Sequence, residues 1–217
     1  MGLSTYTELK SSVANYLNRT DLDAVIPDFI TLAERRLDRD IRARVNYIRA
    51  STTTTSGTAF YNLPSDLIEL RNITYDSDAS NSYALAYMSP ESLSREYGTY
   101  SNGAPRAYSN LGKSIKLSPT PDGAYTIGIN YYQKLTPLSS SNSTNNILQE
   151  FPDLYLYGAC TEGAVYLNDN EQLQRFGGLY NKALEEVRAS EDAARYSGTV
   201  MTMTVQGDPG GMVRRGA

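Results

Sequence analysis

Histidine and tryptophan are absent from the 217-residue chain, and cysteine occurs once. Without histidine there is no Ser-His-Asp or Cys-His nucleophile, no histidine-ligated zinc and no ordinary neutral-pH proton shuttle. A single cysteine excludes an intrachain disulfide and any multi-cysteine metal site. Cys160 lies in the apolar stretch LYGACTEGAVYL, the setting of a buried, inert thiol rather than a nucleophile. No apolar run approaches the ~20 residues of a membrane span. The opening MGLSTYTELK lacks the charged and apolar regions of a signal peptide, and Tyr6 stands where a myristoylation pattern wants Ser or Thr. A net charge of −4 does not suit a general nucleic-acid binder. There is no Walker loop, Rossmann glycine pattern, calcium loop or HExxH. Gly207 to Gly211 is glycine-rich but follows no strand that leads into a helix. No cofactor, no metal and no catalytic residue is expected. Carboxylate-only hydrolysis survives this filter, because the pairing of acids is invisible in sequence.

What is abundant is tyrosine, with 18 residues against 4 phenylalanines. Tyrosine suits strand faces with wet hydroxyls, and equally suits large subunit interfaces. The chain is long enough to bury roughly 70% of its unfolded surface and needs no covalent staples.

The segment Asp21 to Arg44 carries the strongest pattern. Ile26, Phe29, Ile30, Ala33, Leu37 and Ile41 share one helical face, and Glu34, Arg35, Arg36, Asp38, Arg39, Asp40 and Arg42 cover the rest. The helix is expected to reach about Ala43, with Asp21 and Asp23 in its first turn and Pro27 either starting or kinking it. Before it, Thr5 to Glu8 forms a capping box for a helix ending near Asn18, so the two helices make an antiparallel hairpin. Spacing pairs Asp38 with Arg42 and Asp40 with Arg44.

From Tyr47 the pattern turns β-branched and aromatic. Strands are expected at 47–55, 60–63, 67–75, 83–88, 106–109, 114–117 and 125–135, with one short helix opened by Ser89-Pro90 and ended by Gly98. Ser139 to Asn146 is polar and of low complexity, a mobile loop. Helices resume at Pro152 to Leu167 and at Glu171 to about Tyr196, the second weakened at Gly177-Gly178. The expected fold is α+β. A hairpin (1–45) packs on a C-terminal helix pair (137–198), a small antiparallel β unit (46–136) is inserted between them, and a tail (199–217) extends beyond. Val200, Met201, Met203 and Val205 nearly alternate with threonine, a pattern that can add to a sheet edge of a partner, and Met212, Arg214 and Arg215 close the tail.

The stretch Tyr16 to Arg44 resembles the N-terminal hairpin of tailed-bacteriophage head-to-tail adaptor proteins. The residues carrying the likeness are Leu17-Asn18-Arg19, Asp21-Leu22, Ile26-Pro27, Phe29-Ile30, Leu32-Ala33-Glu34 and Leu37 to Asp40. Asn62 to Asp66 and Phe151 to Ala159 are similar to further stretches of the same family, and the likeness spans about residues 5 to 196. It implies a structural protein of the virion neck, assembled in the host cytoplasm as a twelve-fold homo-oligomeric ring. The ring joins the portal protein to a tail or nozzle protein and leaves a channel through which DNA passes without specific binding. No enzyme activity and no membrane contact are implied. On this reading Val200, Met201, Met203, Val205, Met212, Arg214 and Arg215 meet the portal. Arg35, Asp38, Arg39, Asp40 and Arg42 form a charged face between subunits. Alternatives are another neck or tail component, such as a head-completion or tail-tube protein; a DNA-contacting gate using the arginines between 35 and 49; and a histidine-free carboxylate hydrolase.

Overall fold

The computed structural model describes residues 2–76, 81–98 and 102–196, and the tail from Gly198 lies outside them. Thr5 caps the first helix, α1 (Tyr6–Tyr16): its hydroxyl accepts the Glu8 amide while the Glu8 carboxylate accepts the Thr5 amide, closing the expected box. The second, α2 (Ile26–Asp40), is shorter than its pattern. Proline inside a helix loses a hydrogen bond and clashes with the preceding turn, so Pro27 stands at the start and Asp21 stays outside, paired with Arg19 at 2.6 Å. At the other end Ile41 is extended, and the Arg42 guanidinium donates to the carbonyls of Asp38 and Ile41 at 2.9 and 2.7 Å, capping the helix.

A short 3-10 turn, Arg44–Asn46, leads into the β unit. Its strands are β1 (Tyr47–Thr53), β2 (Phe60–Asn62), β3 (Leu67–Asp76), β4 (Ser82–Ala84), β5 (Ala86–Tyr87), β6 (Ala107–Leu111), β7 (Ser114–Ser118) and β8 (Thr126–Gln133), with α3 (Pro90–Tyr97) after β5. They form two four-stranded sheets, in the orders β1-β8-β3-β4 and β2-β7-β6-β5. The single strand expected at 83–88 is split at buried Leu85, so that β4 ends one sheet and β5 begins the edge of the other. Pairing is antiparallel except between β5 and β6, which run parallel. Ile73, Ile127, Ile129 and Tyr131 from one sheet meet Tyr108, Ile115 and Leu117 from the other in one buried core.

The chain then returns to the helices. The 139–146 loop, expected to be mobile, is pinned. Ser143 accepts the Tyr6 amide at 2.6 Å, and Asn145 donates to the Thr136 carbonyl at 2.9 Å. Asn145 also caps a helix that the pattern did not reveal, α4 (Asn146–Glu150). It is followed by α5 (Pro152–Tyr166) and α6 (Asn170–Tyr196), which passes Gly177-Gly178 without interruption. Apolar residues occupy almost every side of α5, which therefore needs neighbours all round. Leu154, Leu156 and Ala159 of α5 share one core with Leu9 and Val13 of α1, Phe29 and Leu37 of α2, and Phe176 and Leu184 of α6. The hairpin and the C-terminal helices thus bury each other's stripes.

Two glycines set the spacing. A methyl group at Gly158 would lie 3.2 Å from the Ala33 Cβ, and one at Gly163 would lie 2.5 Å from a Leu17 methyl. Their absence of side chains lets α5 lie close on α2 and on the end of α1. Gly177 and Gly178 have open space instead.

Phe29→Ala should therefore cost ~2–5 kcal/mol in denaturant unfolding; a loss below ~0.5 kcal/mol would mean its ring is not core. Gly178→Ala should raise stability by ~0.5–1 kcal/mol, since helix interiors disfavour glycine and a methyl there meets nothing. A destabilised Gly178→Ala protein would contradict the uninterrupted helix.

Candidate interaction surfaces

The charged residues from Glu34 to Arg44 divide into two sets. Arg35 and Arg39 are exposed. The others are engaged within the chain. Arg36 pairs with Glu162 of α5 at 2.6 Å, Arg42 with Glu69 of β3 at 3.0 Å, and Arg44 with Glu191 of α6 at 3.1 Å. Asp38 accepts the Leu135 amide at 2.9 Å. Asp40 accepts the Tyr180 hydroxyl at 3.0 Å, and its carbonyl accepts the Arg188 guanidinium at 2.7 Å. The local pairs that spacing suggested, Asp38 with Arg42 and Asp40 with Arg44, are replaced by contacts far apart in sequence. Arg49, on β1, pairs with Asp76 at 2.6 Å. Of the expected charged face, Arg35 and Arg39 are outward, while Asp38, Asp40 and Arg42 fasten α2 to the β8 exit, α6 and β3.

Glu34 is the largest departure from the helical pattern, which set it among the solvent-facing charges. It is only 5% exposed and accepts the Leu138 amide at 2.7 Å. The Tyr155 hydroxyl lies beside it and accepts from the Asn145 side chain at 2.6 Å. One buried carboxylate thus ties α2 to the segment that returns from the β unit. Burial pushes the Glu34 carboxyl up from 4.5 to about 7, against the opposing pull of the Leu138 amide. Burial likewise raises the Tyr155 hydroxyl, and it pushes the Cys160 thiol up to about 12, so no thiolate forms near neutral pH.

At the other end of α2 an apolar groove of about 280 Å³ has Val25 and Phe29 in its lining. Its rim residues Leu32, Val165 and Tyr166 are 51%, 54% and 60% exposed. Among the described residues no His, Cys, Asp and Glu group could hold a metal ion, and no helix is long and apolar enough to cross a membrane. Glu34 and Asp38, one turn apart, each accept a backbone amide from residues 135–138, which is structural use of carboxylates. The tail residues expected to meet the portal, Val200, Met201, Met203, Val205, Met212, Arg214 and Arg215, lie outside the described residues.

The family model described as SU10 adaptor protein matches residues 4–203, and the chain belongs to that family. Its role is that of a structural bacteriophage adaptor. The match includes the 139–146 loop and runs seven residues past residue 196, where the likeness read from the sequence stops. No curated protein matches the chain.

The native chain holds a proton on Glu34 more tightly than the unfolded chain does. The stability this position contributes is complete below 4.5 and is lost as pH rises through about 7. Glu34→Gln should flatten the decline in melting temperature between those values. It should also leave the variant the more stable protein at alkaline pH, by ~1–3 kcal/mol. An unchanged pH profile would show that Glu34 is ionised in the fold at neutral pH.

Proposed function

We propose that the chain is a head-to-tail adaptor of a tailed phage. Copies form a ring, twelve-fold on the family likeness, that joins the portal protein to a tail or nozzle protein in the virion neck. The ring leaves a channel for the genome. The observation that carries this reading is the adaptor-family match across nearly the whole chain. The geometry supports it in two ways. The helical body is bound internally by ion pairs between distant segments, as suits a part that bears load. The exposed Arg35 and Arg39 lie on one face of α2, free for acidic side chains of a neighbouring subunit. In a ring this contact is heterologous, and closure depends on the angle between successive copies. The tail carries the portal contact, with Arg214 and Arg215 reaching portal carboxylates through directed hydrogen bonds.

A DNA-contacting gate has less support. Four of its six arginines, Arg36, Arg42, Arg44 and Arg49, are paired with carboxylates. Phosphate contact would require breaking those pairs.

Mass measurement of the complex formed with purified portal protein tests the reading. A closed ring of adaptor copies on each portal is expected. One copy per portal ring, or no complex, contradicts it. On the same material, Arg35→Ala with Arg39→Ala should weaken ring closure and leave no salt-dependent DNA affinity to lose. A tenfold drop in such an affinity would instead favour the gate.

A further inference from the structure

Three of the four outer edges of the two sheets are short. β2 and β4 have three residues each and β5 has two. The fourth edge, β1, is seven residues long and pairs with β8 without a break, from Tyr47 opposite Tyr132 to Thr53 opposite Thr126. Among the described residues it has a strand on one side only. Its outer side is a regular row of amides and carbonyls. No proline or bulge blunts it, and its one charged residue, Arg49, is paired with Asp76 of β3. Ile48 and Ala50 pack against the sandwich core but stay half-buried at this margin. The edge has room for one more strand, and two side chains on it lack full cover.

The chain itself brings a candidate to this place. α6 is anchored at the root of β1. Arg188 donates to the Asp40 carbonyl at 2.7 Å, and Glu191 accepts from the amide and the guanidinium of Arg44 at 2.9 and 3.1 Å. β1 begins three residues after Arg44. Tyr196, where α6 ends, is about 7.5 Å past Glu191 along the helix axis. Residues 197–199 can span about 10 Å more. The segment 200–205, VMTMTV, is therefore within reach of the start of β1. It carries no charge, and in an extended backbone Met201, Met203 and Val205 would fall on one face, with Val200, Thr202 and Thr204 on the other.

We propose that residues 200–205 add as a further strand to the open edge of β1 in the same chain. A parallel pairing places Val200, the residue nearest the anchored helix, at the start of β1. Met201, Met203 and Val205 cover Ile48 and Ala50, and the threonines face water. The short tether to α6 holds the segment at an effective concentration on the order of mM, far above that of a dilute neighbour. The added strand satisfies the edge and keeps two subunits from pairing through it before assembly. Met212, Arg214 and Arg215 lie seven or more residues farther on and stay available to a portal. The proposal does not depend on the adaptor reading.

Amide hydrogen exchange tests it, with three proteins compared: the full chain, a chain ending at Gly198, and full-length Met203→Pro, which removes a ladder donor. Amides in 47–53 that do not bond to β8 should exchange at least ~10-fold faster in both variants than in the full chain. Those of β3 and β8 should be unchanged, and protein concentration should make no difference. Equal exchange of residues 47–53 in all three proteins overturns the proposal. Protection that grows with concentration also overturns it and gives the segment to a neighbouring copy. Protection that appears only on adding portal protein overturns it too and assigns residues 200–205 to the portal.

Discussion

The close seating of α5 on α2 is the constraint on which the rest of the structure depends. An apolar helix with almost no polar face cannot end a fold; it must be surrounded. Gly158 and Gly163 let it approach Ala33, Phe29 and Leu17 closely enough for α1 and α2 to cover one side. α6 covers another, through Phe176, Tyr180 and Leu184. Segments from opposite ends of the sequence are therefore required for one core. The β unit between them must leave the helical body and come back to it. Glu34 and Asp38 accept amides at that point of return, fixing where the chain re-enters.

The electrostatics follow from the same arrangement. A segment carrying seven charged residues between positions 34 and 42, six of them on α2, has the composition of a solvated or ligand-binding face. The fold instead turns most of them inward or sideways. Arg36 locks α2 to α5, Arg42 locks it to β3, and Asp40 receives α6 through Tyr180 and Arg188. Pairs that are partly exposed contribute little stability singly. Their value lies in fixing geometry among four elements. Arg35 and Arg39 are left outward.

Much of the fold was legible because local rules decide it. The Thr5 capping box and the Ser89-Pro90 helix start each act within a few residues. The apolar stripe of α2 correctly named its buried residues. What stayed hidden depends on distant partners. Glu34 has the spacing of a surface charge and becomes buried only because Leu138, 104 residues away, supplies an amide. Arg44 finds Glu191 across 147 residues rather than Asp40 across four. The division of 82–87 between two sheets, and the parallel step from β5 to β6, follow from how the sheets face each other. The 139–146 loop looked mobile by composition, yet its asparagines are spent on backbone groups and on capping α4. Of the candidate site, only the outward placement of Arg35 and Arg39 could be read along the helix, since the periodicity gives orientation but not partners.

The helices on either side of the β unit form one helical body. Residue-resolved hydrogen exchange under increasing denaturant measures this most directly, by comparing amides of Val13 and Leu37 with those of Leu156 and Leu184. One cooperative body requires all four to converge on the same opening free energy and the same denaturant dependence. If α1 and α2 instead open together at a free energy clearly below that of α5 and α6, the two ends are separate units and the single shared core is contradicted.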